Sequence, residues 1–244
     1  MTEPGLLDHT LAALVAAYVL YATLRGQPKA KELEFTTATK LSTYWANGTV
    51  LWLGAIAAAA VWLLAGRTLG SLGLTIEHES PGIGVAIAVA FVAWFAFETY
   101  REIGTPARRA ALRARWQRDC PFMPETPREL GHFTYVAVTA GITEEIIARG
   151  FLISYVGWYT GSTMAGIAAA VAIPALVFAV AHRYQGRALM LRILVLALFF
   201  GAIFVVTGSL LIPIVLHALV DLAGGVLSYR LASGGQAREH RDAP

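Results

Sequence analysis

The sequence has little charge and almost no cysteine. Charged residues make up only 14% of its 244 residues and hydrophobic residues 57%, more apolar surface than a water-soluble domain of this length can bury. A single cysteine, Cys120, excludes an internal disulfide. The N-terminal segment lacks a basic start and a small-residue cleavage site, so Leu6 to Leu24 is interpreted as a retained helix and not as a signal peptide. The composition therefore predicts a protein that folds in a lipid bilayer.

Long apolar runs predict membrane-spanning helices, because each run approaches the roughly 20 residues that a helix needs to cross the hydrocarbon core. The predicted spans are Leu6 to Leu24, Leu41 to Ala65, Gly82 to Tyr100, His132 to Val156, Ser162 to His182, Ala188 to Val206 and Ser209 to Tyr229. The expected fold class is all-α, a polytopic transmembrane helical bundle of about seven spans, with eight as the alternative.

Lysine and arginine are concentrated in alternate loops, and this asymmetry predicts the orientation. The basic residues on one side are Arg25, Lys29, Lys31, Lys40, Arg101, Arg108, Arg109, Arg113, Arg115, Arg118, Arg128, Arg183, Arg187, Arg230, Arg238 and Arg241. The other side has little besides Arg67. With seven spans we expect the N-terminus outside and the C-terminus in the cytosol of a plasma or inner membrane. The membrane accounts for these charges, so no nucleic-acid partner is expected.

The third loop mixes arginines with apolar residues. Between Arg101 and Arg118, Leu112 and Trp116 intersperse with arginine in the pattern of a short basic helix on the inner leaflet. A solvated basic loop is the alternative. Prolines from Pro121 onward end any such helix before the fourth span begins.

Ionisable residues inside the predicted spans indicate function. A charged side chain at mid-bilayer costs at least about 2.5–3.5 kcal/mol on insertion scales, so each such residue needs a reason to be there. Three spans contain them: Glu144, Glu145 and Arg149 in the fourth, His182 at the end of the fifth, and His217 with Asp221 in the seventh. One functional site explains three polar clusters more simply than three unrelated structural roles do.

Helix geometry separates the two glutamates. Glu145 and Arg149 are four residues apart, so they share a face as an ion pair and are expected to support the architecture. Glu144 points about 100° away and has no such partner on its helix, so another helix or water must satisfy it. Small residues share its face and let a helix or a peptide approach closely: Ala137, Ala140, Gly141 and Ala148. Glu144 is therefore the candidate general base.

His217 and Asp221 also share one face, because they are four residues apart. A desolvated glutamate can take a proton from water, and histidines can hold that water, donate to an oxyanion or bind a divalent metal. Glu144, His182 and His217 would supply nitrogen and oxygen ligands to a metal such as zinc. Because no His-Glu-x-x-His helix is present, water activation without a metal stays open, and no other cofactor is expected.

Other hydrolase chemistries find no support in the sequence. There is no Gly-x-Ser-x-Gly elbow and no Gly-x-Gly-Asp motif, and Cys120 lies in a proline-rich loop away from the histidines. Serine, aspartyl and cysteine mechanisms are therefore disfavoured.

Three motifs follow one another along the chain: Glu-Glu-x-x-x-Arg, Phe-x-x-x-His and His-x-x-x-Asp. This ordered set resembles the CAAX-protease and bacteriocin-processing family of intramembrane metalloproteases, also called CPBP or Abi, over about the last 110 residues. The resemblance implies an endopeptidase with a cytosolic opening that cleaves membrane-associated peptides or proteins. By position it implies that Glu144 activates water, that His182 assists or binds metal, that His217 and Asp221 stabilise the oxyanion or complete a metal site, and that Glu145, Arg149 and Phe178 give support.

Two other functions fit part of the sequence. A proton-coupled membrane transporter also uses intramembrane Glu, His and Asp, but it predicts internal repeats and paired broken helices, which the sequence lacks. A non-catalytic immunity or scaffold relative would not need intact motifs. Within one structural domain we expect N-terminal spans and a basic cytosolic loop (1–131), a catalytic membrane core (132–229) and a polar cytosolic tail (230–244). Oligomeric state and substrate identity are not predicted.

Overall fold

The computed structural model of the chain describes residues 3–26 and 33–242, with backbone alone for 235–242. Within these ranges there is no β-strand, so the all-α prediction is confirmed. The α-helices are α1 (Leu6–Tyr21), α2 (Thr37–Leu64), α3 (Pro81–Ile103), α4 (Pro106–Asp119), α5 (Pro127–Glu145), α6 (Ser154–Thr160), α7 (Met164–Ala181), α8 (Arg187–Thr207) and α9 (Leu211–Asp242). The predicted basic residues Lys29 and Lys31 lie outside the described residues.

Apolar helices confirm a multi-pass membrane protein. Among the described residues, six helices are long and apolar enough to cross a membrane: Leu6–Arg25, Thr37–Leu64, Pro81–Ile103, Met164–Ala181, Arg187–Thr207 and Leu211–Gly234. They correspond to six of the predicted spans. The predicted span His132 to Val156 is not among them, because its α-helical part, Pro127–Glu145, has charged residues at both ends. The total of seven spans, the orientation and the division into three regions stay predictions.

The basic third loop contains a helix, α4. Thr105 caps its start by accepting a hydrogen bond from the Arg108 amide at 3.3 Å, and Pro106 occupies the first turn. Leu112 is buried, and Arg115 forms an ion pair with Glu102 of α3 at 2.6 Å. The prediction of a basic helix is therefore confirmed and the alternative of a solvated basic loop without a helix is wrong, while the location of the helix on the inner leaflet stays a prediction.

Helix α5 packs against both α2 and α9 and so occupies the middle of the bundle. A capping box fixes its start: the Thr126 hydroxyl accepts from the Glu129 amide at 3.2 Å, and the Glu129 carboxylate accepts from the Thr126 amide at 3.3 Å. The same carboxylate lies 3.3 Å from Nζ of Lys40, a buried residue of α2. The first turn of α5 is therefore held from two sides.

Gly141 brings α5 and α9 into close contact. A Cβ atom at this position would lie 2.8 Å from the backbone nitrogen of Ala218, closer than real Cβ atoms come to other heavy atoms. Small residues permit such close approach of two helices. The neighbour of Ala218, His217, is thereby placed beside the turn of α5 that follows Gly141, which contains Glu144 and Glu145.

After Glu145 the helix continues as a π-helical segment, Ile146–Ile153, and then as α6. Six of its eight residues are buried, among them Arg149 and Phe151. Segments of π-helix are rare in proteins, and those that occur are often found at functional sites. The apolar run predicts an uninterrupted α-helix here, so this change of hydrogen bonding was not predicted from the sequence.

Candidate active site

One buried carboxylate, Glu145, connects α5 with α9. Its side chain is 0% exposed, and its Oε1 accepts a hydrogen bond from Nη1 of Arg149 at 2.9 Å and one from Nδ1 of His217 at 2.7 Å. The first contact confirms the ion pair predicted from the four-residue spacing. The second contact was not predicted. Charge-assisted hydrogen bonds of this kind are strong, so Glu145 fixes the orientation of the His217 ring.

The other ring nitrogen of His217 lies near two further carboxylates. Its Nε2 is 3.8 Å from Oε2 of Glu144 and 3.8 Å from Oδ2 of Asp221. These separations are longer than direct hydrogen bonds and are within reach of one bridging water. The side chains of Glu144 and Asp221 are 17% and 35% exposed, whereas that of His217 is 7% exposed. Three of the predicted site residues therefore converge, with the two carboxylates on the accessible side.

His182 lies at the end of α7. Its Nδ1 is 2.8 Å from the carbonyl oxygen of Phe178, so the Nδ1–H donates to that oxygen and Nε2 is left as an acceptor. The Phe178 ring centroid is 4.6 Å from that of His182 and 6.1 Å from that of His217. The guanidinium of Arg149 lies 4.7 Å from the same ring, in cation–π geometry. All three sequence motifs therefore meet at Phe178.

Two aromatic residues that the sequence analysis did not single out complete the surroundings. Phe200 of α8 is fully buried, with its ring 5.6 Å from the Arg149 guanidinium and 6.0 Å from the His217 ring. Tyr184 follows α7, and its ring stacks on that of His182 with the two ring centroids 6.1 Å apart. Burial raises the pKa of the Tyr184 phenol, and the negative charge of Glu144 raises it further, so the phenol is neutral at physiological pH. Proximity to His182 in the sequence was the only available signal for Tyr184.

The predicted metal ligands do not form a metal site in this arrangement. No group of three His, Cys, Asp or Glu side chains in the described part of the chain could hold a metal ion. Zinc needs its ligands within about 2.0–2.2 Å of one point. Instead, Nδ1 of His217 bonds to Glu145, and the rings of His182 and His217 each contact Phe178. A site formed by Glu144, His182 and His217 would require a different side-chain arrangement, so no chemical step is derived through a metal.

The arrangement is suited to proton transfer. A carboxylate that accepts from one imidazole nitrogen fixes the tautomer and stabilises the ring when it is protonated. Glu145 stands in this relation to His217, whereas Glu144 makes no direct hydrogen bond to the described residues and has only a 3.8 Å contact to Nε2. Glu144 can therefore exchange a proton with a bound water or substrate.

Comparison with known families finds a match over part of the chain. Residues 126–223 match the family model described as type II CAAX prenyl endopeptidase Rce1-like. The matched segment begins at the N-cap of α5 and includes all three motifs, so the resemblance identified from the sequence is confirmed. No curated protein and no solved structure matches the chain.

Proposed function

We propose that this chain, a membrane protein with an Rce1-like core, is an intramembrane endopeptidase in which Glu144 activates the attacking water. The observation that carries the proposal is the convergence of Glu144 and Asp221 on Nε2 of His217, whose Nδ1 is held by the buried Glu145. The match to a family of membrane peptidases supports peptide-bond hydrolysis as the reaction.

Glu144 acts first as base and then as acid. It is partly buried and accessible, and it takes a proton from a water molecule as the water oxygen attacks the carbonyl carbon. A C–O bond forms and the carbonyl oxygen becomes an oxyanion. When the C–N bond breaks, the proton held by Glu144 passes to the departing amine nitrogen. The carboxylate is thereby regenerated.

His217 stabilises the developing negative charge. When the ring is protonated beside these carboxylates, its Nδ1–H donates to Glu145 and its Nε2–H is directed to the space between Glu144 and Asp221. A donor fixed in advance stabilises an oxyanion without reorganisation during the reaction. Asp221 holds this side of the ring in place.

His182 orients the attacking water. Its Nδ1–H donates to the Phe178 carbonyl, so its Nε2 lone pair is free to accept a hydrogen bond from water. A water that donates one proton to Glu144 and the other to His182 presents its oxygen to the substrate. The predicted topology directs this end of α7, followed by Arg183 and Arg187, to the cytosol, so substrates enter from the cytosolic side of a plasma or inner membrane.

Cleavage of a membrane-tethered fluorogenic peptide by the purified protein in lipid nanodiscs tests the proposal. Loss of a positioned general base lowers rates by about 10²–10⁴-fold, so we expect a loss of this size for Glu144→Gln. Loss of the group that orients the water should lower the rate by about 10²-fold in His182→Ala, and thermal unfolding should be unchanged in both variants. Glu77→Gln, which changes an exposed carboxylate in the α2–α3 connection, is the matched control and should cleave normally. Wild-type rates in both site variants would refute the proposal.

A further inference from the structure

Two aromatic rings contact the imidazole of His182. Phe178, one helical turn earlier, lies 4.6 Å away, and Tyr184, two residues later, lies 6.1 Å away with its plane inclined by only 28°. His182 is the C-cap of α7, so its backbone has left the α-helical conformation. The hydrogen bond from its Nδ1–H to the Phe178 carbonyl fixes one edge of the ring, and the two neighbouring rings restrain it further.

Tyr184 is itself held in place. It lies in a short 3₁₀ turn, Arg183–Gln185, and its hydroxyl accepts a hydrogen bond from Nε2 of Gln185 at 3.0 Å. Its ring is 5.8 Å from the ring of Phe122, in the connection between α4 and α5. The carbonyl oxygen of Phe122 accepts from the hydroxyl of Tyr44, a buried residue of α2. A continuous series of contacts thus joins His182 to α2.

We propose that Tyr184 is a positioning residue, whose ring, supported by Phe122, holds the imidazole of His182 in the orientation that the reaction requires. This rests on the peptidase function proposed above. We assign this role to the ring and not to the hydroxyl, because it is the ring that contacts His182, whereas the hydroxyl contacts the adjacent Gln185. Such a role affects the transition state more than substrate binding, so losing the ring should lower kcat and leave KM nearly unchanged.

Kinetics of three variants separate the ring from the hydroxyl. Tyr184→Leu should lower kcat about tenfold, since small misplacements of a catalytic group have effects of this order or larger. Tyr184→Phe should restore kcat, and Tyr100→Leu, a change at an exposed tyrosine of α3, is the matched control. An unchanged kcat in Tyr184→Leu would overturn the proposal. Equal losses in the Leu and Phe variants would assign the effect to the hydroxyl and also overturn it.

A second measurement does not depend on activity. In full-length protein labelled at histidine and held in nanodiscs, the NMR signal of His182 is identified by its disappearance in His182→Gln. Tyr184→Leu and Phe122→Leu should both shift this signal, because ring stacking alters the local field, whereas Tyr184→Phe should not. An unmoved signal in both Leu variants would refute the restraint. If both Leu variants shift the signal but the wild-type protein cleaves no peptide, the restraint is supported and the peptidase function alone is rejected.

Discussion

Replacing Glu145 by alanine tests how charge is accommodated inside this bundle. The side chains of Glu145 and Arg149 are 0% and 3% exposed. Without the carboxylate, Arg149 keeps its charge but loses its ion pair, and its Nη2 already has no hydrogen-bond partner within the described part of the chain. The cation–π contacts to the rings of Phe178 and Phe200 would remain beside the guanidinium. We therefore expect Glu145→Ala to be strongly destabilising.

The magnitude follows from the burial of the pair. Removing one partner of a buried ion pair costs about 3–5 kcal/mol, because the other charge is left uncompensated. Replacing both partners by apolar residues of similar size is often neutral, so Glu145→Leu combined with Arg149→Met should recover most of the stability. Peptide cleavage should not recover in the double variant, because Nδ1 of His217 has lost its acceptor. Glu98→Ala, at a partly exposed ion pair, should cost at most about 1 kcal/mol.

The single cysteine provides the assay. Cys120 is buried, so its modification by a maleimide reports unfolding as the concentration of a denaturing detergent is raised. We expect the midpoint to fall in Glu145→Ala and to return towards the wild-type value in the double variant. An unchanged midpoint in Glu145→Ala would refute this reasoning, as would a double variant no more stable than the single one.

Four further predictions concern other parts of the chain. Gly141→Val should lower both thermal stability and cleavage, because its Cβ would meet Ala218, whereas Gly131→Ala, with nothing within 4 Å, should be tolerated. Thr126→Ala removes the cap of α5 and should lower the free energy of unfolding by about 1 kcal/mol in the same detergent titration. Burial raises the pKa of Cys120 to about 12, so maleimide should modify the native thiol only slowly at pH 8 and much faster after unfolding. Exhaustive chelation should leave cleavage unchanged, because the described residues provide no three-ligand group; loss of activity that zinc restores would favour the metal alternative.

Local sequence spacing predicted the parts of the site that one helix contains. The ion pair of Glu145 with Arg149 and the shared face of His217 and Asp221 both follow from a four-residue separation. The apolar runs likewise predicted six of the spans, because length and hydropathy are properties of each helix alone. The family match confirms the resemblance that the ordered motifs indicated.

Spacing rules within one helix do not predict contacts between different helices. The hydrogen bond from His217 to Glu145 joins residues 72 positions apart and depends on the close approach of α5 and α9 at Gly141. Phe200 carries no charge that would distinguish it from other apolar residues of α8, so its place beside Arg149 had no signal in the sequence. The π-helical hydrogen bonding after Glu145 was also missed, because the apolar run through this segment fits an α-helical span equally well.

The shared contacts of Phe178 have a consequence for how the protein loses its site. Because this one ring contacts Arg149, His182 and His217, it links residues from three separate helices. Displacing one of these helices disrupts the contacts around the Phe178 ring and so changes the surroundings of the other two motifs. The geometry of the candidate site should therefore be lost cooperatively on heating, in a single transition, and not one motif at a time.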